Sequence, residues 1–332
     1  MEVSYREALT IFDGFDAALQ APSLHPDYII SDASRDLSLK PVFFAHRSGP
    51  DFFYHGFHRT AVPGTALFDI QSPYGYGGPI ASTAHPEFLA EAWQAYQSWC
   101  IQNDVLAEFI RFHPLLENWK YYQGEVGVDR QTVWIDLTVP DLLMTYGSRV
   151  RTAVRKGINN NLQVVWEKNE SALHAFIGLY YQAMRELNTG RFYLFPETYF
   201  TELARWDHTH LALCKYHQEI VAGALFLEQE DFLEYHLSAA TDGGNKLCAT
   251  NLLIHEAAIF GQQRGCRYLH LGGGTDGRPD NSLLFFKSGF SKARSLFKIG
   301  KMVHLPGIYQ RMRQDWLEKD GQQANRILFY RF

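Results

Sequence analysis

EYHLSAATDGG (Glu234–Gly244), LLIHEAAIFGQQRGC (Leu252–Cys266), RYLHLGGG (Arg267–Gly274) and SLLFFKSGFS (Ser282–Ser291) follow one another in this chain. A half-apolar strand runs into a glycine turn, and a long amphipathic helix follows. A second strand then ends in three glycines, and a short aromatic helix carries one lysine. This strand, helix, strand, helix order collects its polar groups at the loops, where α/β proteins place their chemistry.

The same grammar occurs earlier. Strands DFFYHGFHRT (51–60) and ALFDI (66–70) lead into SPYGYGGPI (72–80), the helix PEFLAEAWQAYQSWCIQN (86–103), the strand VLAEFIRF (105–112), the segment HPLLENWKYY (113–122) and the strand TVWIDLT (132–138). The helix-to-strand junctions at Asn103/Asp104 and Gly265/Cys266 lie about 160 residues apart, a whole-domain period. The expectation is one α/β fold in two tandem copies, and 332 residues suit two domains.

Hydrophobic residues at 46% and charged residues at 20% describe a globular chain with ample core. Aromatics reach 15%, which reads as packing in two cores with a minority lining a sugar or base cleft. A net charge of -5 leaves no global basic footprint, so no DNA partner is expected and an RNA-linked ligand needs a local patch. The cysteines Cys100, Cys214, Cys248 and Cys266 are far apart and show no metal-ligand spacing, and Cys100, Cys248 and Cys266 read as buried thiols. No metal is expected. The N-terminal residues lack a basic region followed by an apolar one, and no apolar run has transmembrane length. A reduced cytoplasmic setting without membrane insertion is the expectation.

Outside these copies, Ala8, Ile11, Phe12, Phe15 and Leu19 recur at helical spacing, and residues 22–41 read as a polar surface connection. VPDLLMTYGSRVRTAVRKGINNN (139–161) reads as a helix with Leu142, Leu143, Tyr146, Val150 and Val154 on one face and Arg149, Arg151, Arg155 and Lys156 on another. That helix marks the boundary, giving domains 1–145 and 146–321. The apolar end ILFYRF (327–332) is expected to pair as a final strand, so that about 322–332 complete the first domain.

A strand, a glycine turn, a helix and a second strand splayed from the first resembles the acetyltransferase (GNAT-type) fold. Two copies in one chain look like the Fem-type (FemAB group) aminoacyltransferases, in particular the shorter ones. The matching words are IDLTVPDLLMTYGSRVRTAVRKG (135–157), YQAMRELNTGRFYLFPETYF (181–200), LLIHEAAIFGQQRGCRYLHLGG (252–273) and LLFFKSGFS (283–291), in order over nearly the whole chain. The resemblance implies two GNAT-like domains with mixed sheets facing each other across a cleft, with the C-terminal segment returning to the first domain. It also implies transfer of an amino acid from aminoacyl-tRNA to an amine of a peptidoglycan precursor, whereas distant relatives use other acyl donors and acceptors. This chain departs from the family in lacking the inserted pair of long charged helices, and in having His113 where the family motif has an acid before the proline. The turn TDGGNKLCATN (241–251) also lacks the Q/R-x-x-G-x-G/A phosphate loop of acetyl-CoA enzymes.

Acyl transfer to an amine needs an uncharged amine, a polarised carbonyl and a route for the proton. Strict alternation puts Glu234, His236 and Ser238 on one face, which reads either as a proton path or as a solvated face. Lys287, in FFKSGF, reads as a cation facing a cleft, where it neutralises a phosphate or a developing oxyanion; the alternative is a snorkelling lysine. By resemblance it matches the FK pair of the Fem-type second domain. Arg191, in NTGRFYLFP, reads equally as a loop cation or an anion ligand, and by resemblance matches an arginine of the family's phosphate-binding region. Arg111 and His113 are candidates for substrate binding in the first domain. Tyr74 and Tyr76, in the glycine-tyrosine loop, offer backbone donors and a stacking ring. Asn251 could reach an amide, and His270 reads as a core histidine. HEAAI at His255 lacks a second histidine, and no nucleophile elbow, P-loop or dinucleotide fingerprint occurs.

These readings add up to a cytoplasmic transferase that moves an acyl or aminoacyl group directly to an amine of an anionic cell-envelope, glycan or peptide precursor. Lys287, Glu234 and His236 are the catalytic candidates. No cofactor is tightly bound, the donor is aminoacyl-tRNA or acyl-CoA, and the acceptor is a small or nucleotide-linked molecule. An acyl-CoA-dependent N-acyltransferase and a non-catalytic binding fold are the alternatives.

Overall fold

The computed structural model describes residues 1–188, 190–278, 280–319 and 326–331. The chain divides into two compact units, residues 1–129 with 297–332, and residues 130–296.

The first unit begins with α1 (Tyr5–Asp13), whose Ser4 and Glu7 form a reciprocal capping box, and α2 (Pro26–Ala33). The segment expected to be a polar surface connection is therefore a buried helix: Tyr28, Ile29 and Asp32 have almost no exposure. His25 caps α2 and Pro26 starts it, so its polar residues begin a helix rather than a loop. Next come β1 (Lys40–Ser48), β2 (Asp51–Ala61), β3 (Phe68–Gln71), β4 (Ile80–Ala81), α3 (Pro86–Gln102) and β5 (Val105–Arg111). The sheet order is β1, β2, β3, β5 and then β12 (Arg294–Val303), with β4 on β2. β3 and β5 pair in parallel across the α3 crossover, and the other pairs are antiparallel. Phe44, Phe53, Phe57, Trp93, Tyr96 and Trp99 fill the core between α3 and this sheet.

The second unit takes the end of β6 (Glu125–Asp136), α4 (Leu142–Thr145), α5 (Ser148–Asn159), β7 (Gln163–Trp166), α6 (Glu170–Glu186), α7 (Glu197–Arg205), β8 (Thr209–Tyr216), β9 (Glu219–Gln229), β10 (Phe232–Ala240), α8 (Asp242–Lys246), α9 (Ala249–Arg264), β11 (Tyr268–Gly273) and α10 (Ser282–Ser288). Its sheet runs β6, β11, β10, β9, β8, β7, with β10 and β11 parallel across the α9 crossover and the rest antiparallel. The helix expected over 139–161 is two helices, because Tyr146 is extended and Gly147 begins a new start.

After α11 (Pro306–Lys319), the C-terminal segment returns to the first unit, but not as a strand. Residues 320–325 and 332 of the expected completing segment lie outside the described residues. Phe329–Arg331 form a 3-10 turn, with Phe329 set edge-on against Tyr309 at 5.5 Å. Arg331 pairs with the buried Asp69 at 2.6 Å and donates to the Ala61 carbonyl at 3.0 Å, so side chains rather than a ladder anchor this end.

Candidate functional sites in the two units

In the second unit, β10 and β11 pair only from Phe232/Tyr268 to Glu234/His270. Beyond that point β10 stays with β9 as far as Ala240, and β11 stays with β6 as far as Gly273. Each strand shifts register just past the split, β10 between Tyr235 and Leu237 and β11 between His270 and Gly272. Two parallel strands thus separate, and the facing backbone edges beyond the split are left without a shared ladder. A bulge also bends its strand and re-aims its side chains.

That bulge corrects one expectation. His236 is the extra residue, so strict alternation fails and the face expected to hold Glu234, His236 and Ser238 is split. Ser238 bonds with Tyr235, whose hydroxyl burial pushes up to about 12. His236 Nε2 lies 2.7 Å from the Tyr199 hydroxyl of α7. Glu234 is buried and is itself the last β10 residue paired with β11, opposite His270.

Lys287 comes from the last turn of α10, which starts under an Asn281 cap that accepts from the Leu283 and Leu284 amides at 3.1 Å each. Its ammonium donates to the Gly273 carbonyl at 2.9 Å and lies 5.9 Å from the Tyr235 ring centre. Only 7% of the residue is exposed, and desolvation lowers its pKa to about 7. A surface-snorkelling lysine would stay fully charged, whereas this amine is poised between its two forms at neutral pH. The loop beneath it is tied down: Arg130 donates to the Gly274 carbonyl at 2.9 Å, and Asn281 donates to Thr275 at 2.8 Å and Asp276 at 3.0 Å. Gly274 has no room for a side chain, since a Cβ there would lie 2.4 Å from Asn281 Oδ1.

The glycine turn read at Gly243–Gly244 is helical in the structure. It is the short helix α8, capped by Thr241, and neither glycine has positive φ. The Gly244 amide bonds to Thr241 Oγ1, and those of Asn245, Leu247 and Cys248 bond to carbonyls at Thr241, Gly243 and Asn245. Asn251 is half-buried on the first turn of α9. Arg191 begins a 3-10 turn at Arg191–Tyr193, and its side chain lies outside the described residues. His270 is buried on β11. Burial pushes the thiols of Cys214 and Cys266 up to about 12, which suits neither for nucleophilic attack.

In the first unit, the structure brings Tyr74, Tyr76, Arg111 and His113 together around one loop. The apex Tyr74–Tyr76 is half-buried, while Ser72, Gly77 and Gly78 are buried. Asp32, fully buried on α2, accepts from the Tyr74 amide at 2.9 Å and from Arg35 Nε at 3.1 Å, with His58 Nδ1 at 3.5 Å. Tyr28 donates to the Tyr74 carbonyl at 2.5 Å. Arg111 donates to the Ser72 and Pro73 carbonyls at 3.1 Å each, and burial, reinforced by Arg35, holds it down to about 10. It therefore stays a cation at neutral pH. Asn118 holds the far side, donating to the Gly77 and Pro79 carbonyls at 2.9 and 3.2 Å and accepting from the His113 amide at 3.0 Å. The Tyr76 ring meets His113 edge-on at 5.4 Å. Asp32, Asn118, Tyr235 and Asn281 were not singled out in the sequence. Asp32 sat in what read as a connection, and the other three gain meaning only from their partners.

Two glycines in this loop separate strain from crowding. Gly75 has φ +87 and nothing within 4 Å of a Cβ, whereas Gly78 has φ +94 and a Cβ would lie 2.7 Å from Phe112 Cδ1. Gly75→Ala is expected to cost about 1 kcal/mol and Gly78→Ala about 3 kcal/mol, because backbone strain is joined by overpacking only at the second. Urea denaturation of the two variants measures the difference, and equal losses would refute the crowding argument.

No family model matches the chain, and no curated protein matches it. Solved structures do: the fold is Fem/GNAT-like, a mixed α/β architecture in two units. FemX superposes with a TM-score of 0.69 at 13% identity, covering 94% of this chain and 99% of FemX. The C-terminal domain of a protein named as a lysylphosphatidylglycerol synthetase from Agrobacterium fabrum gives 0.60 at 13% identity, covering 95% and 98%. L-PGS from Bacillus licheniformis gives 0.57 at 12% identity, covering 88% and 90%. Among the described residues, no helix is long and apolar enough to cross a membrane.

Proposed function

We propose that this chain is an aminoacyltransferase that moves an aminoacyl group from its ester donor to an amine of an anionic cell-envelope, glycan or peptide precursor, as in peptidoglycan assembly. The observation that carries the reading is the split between β10 and β11 with the desolvated amine of Lys287 beside it. An acyl chain lies in such a split like a third strand, with its carbonyl within reach of backbone donors. The acceptor amine attacks the carbonyl carbon, the new C–N bond forms, the ester C–O bond breaks, and the amine proton ends on the leaving oxygen. Lys287 donates to the oxyanion of the tetrahedral intermediate. Its charge is costly in the empty site and is compensated only as the negative charge develops, which is differential binding of the transition state. Arg111, His113, Tyr74 and Tyr76 remain the substrate-binding candidates of the first unit, held in a pre-organised loop, and Arg191 is a candidate cation of the second.

A tRNA-linked donor is favoured over acyl-CoA by the α8 turn. That turn lacks the Q/R-x-x-G-x-G/A loop, and its Gly244, Asn245, Leu247 and Cys248 amides are bonded within it. Thermal shift against acyl-CoAs, nucleotide-linked peptidoglycan precursors and charged tRNA tests this, because a ligand that binds the native state raises the melting temperature. Stabilisation by a nucleotide-linked precursor that Arg111→Ala abolishes supports the proposal. Stabilisation by CoA compounds alone replaces it with an acyl-CoA-dependent N-acyltransferase.

A further inference from the structure

We propose that the first unit contains a structural zinc site formed by Cys100, Glu108 and His304. Cys100 lies near the end of α3, Glu108 in the middle of β5, and His304 directly after β12, where its amide bonds to the Leu106 carbonyl at 3.0 Å. Exposure is 0% for Cys100 and Glu108 and 8% for His304. One ligand atom from each lies within 4.8 Å of the other two.

Two observations separate this cluster from an ordinary buried polar network. First, His304 Nε2 and Glu108 Oε2 are 3.4 Å apart, yet His304 Nε2 has no hydrogen-bond partner. That spacing matches the edge between two ligands of a tetrahedral zinc, roughly 3.3–3.8 Å for bonds of about 2.0–2.3 Å. Second, Glu108 Oε1 is fully buried and makes no well-formed hydrogen bond, although the Tyr122 hydroxyl faces the same carboxylate. A buried carboxylate oxygen and imidazole nitrogen left unpaired are expensive, and a cation bound between them removes the cost.

The donor set suits zinc. A thiolate, an imidazole and a carboxylate are the ligands of a borderline-soft cation, and the two anionic ligands balance its charge. Tyr96 donates to Glu108 Oε2 at 2.5 Å, the outer-shell bond that orients a ligating carboxylate. These three side chains take three corners of the tetrahedron, and a water buried with the ion takes the fourth. With no solvent-exposed ligand, the ion has no room for substrate and ties α3 to the strand edges of β5 and β12. The ligands come from positions 100, 108 and 304, so no spacing motif announces them.

The test is made on the full chain, refolded with zinc or with cobalt and then freed of excess metal. The expected result is one zinc per chain by mass spectrometry and a higher melting temperature than the chain refolded without metal. The cobalt form should show a sulfur-to-cobalt charge-transfer band in the near ultraviolet. Cys100→Ser should abolish that band, and His304→Gln should lower the zinc content. Wild-type protein that refolds without retaining metal, with the same melting temperature either way, overturns the proposal. Retention of metal and band in both variants overturns it as well, because the ion then sits elsewhere.

Discussion

Lys287→Met should raise the melting temperature at pH 7 or leave it unchanged, while transfer falls by about 10²–10³-fold. A lysine whose pKa drops from 10.5 to about 7 on folding carries a desolvation penalty of about 5 kcal/mol when protonated. Removing it also loses the bond to Gly273, worth about 1 kcal/mol, so the net change is stabilising. The pH dependence follows from proton counting. Between about pH 7 and 10.5 the unfolded chain holds the Lys287 proton and the folded chain does not, so stability rises with pH. Below about pH 7 the penalty is fully present. The difference between wild type and variant isolates this contribution from other titrations. Activity has the opposite slope: if the charged amine holds the oxyanion, kcat/KM falls as pH rises through about 7. A profile that rises there would make Lys287 a base instead, and a marked loss of melting temperature in Lys287→Met would contradict the desolvated amine.

Asp32→Ala should lose about 3–5 kcal/mol, a drop in melting temperature of roughly 10 °C or more, together with acceptor binding. The carboxylate is fully buried and serves the Tyr74 amide, Arg35 and His58. Without it, Arg35 and Arg111 face each other as like charges and the Tyr74 amide loses its acceptor. Asp32→Asn, which keeps an acceptor for Tyr74 but no charge, should fall between the two. Thermal denaturation of both variants, with precursor binding measured well below their midpoints, distinguishes loop positioning from general instability. A loss below about 1 kcal/mol for the alanine variant would show that the carboxylate is not a paired buried charge.

The architecture was legible because its signals are local. The strands at 51–60 and 105–112 and the helices at 86–103 and 252–266 carry their own periodicity and stops, including the left-handed Gly265 at the helix end. Two such strand, helix, strand units in one chain sufficed for a duplicated α/β fold, and Lys287 stood out because a cation among aromatics needs a reason. Tertiary structure decided the rest. Whether His236 continues the alternation of β10 or bulges out depends on its register with β9, a pairing between strands rather than a property of either. The helix at Pro26–Ala33 rests on burial of Tyr28, Ile29 and Asp32 against the sheet, which a polar sequence does not display. The C-terminal segment became a 3-10 turn because Arg331 met Asp69 and Phe329 met Tyr309. Composition and periodicity determine which segments fold as helix or strand, since each residue carries its own propensity. Only packing determines which polar groups lose water together, and that loss of water sets the charge of Lys287 and the anchoring of Tyr74 by Asp32.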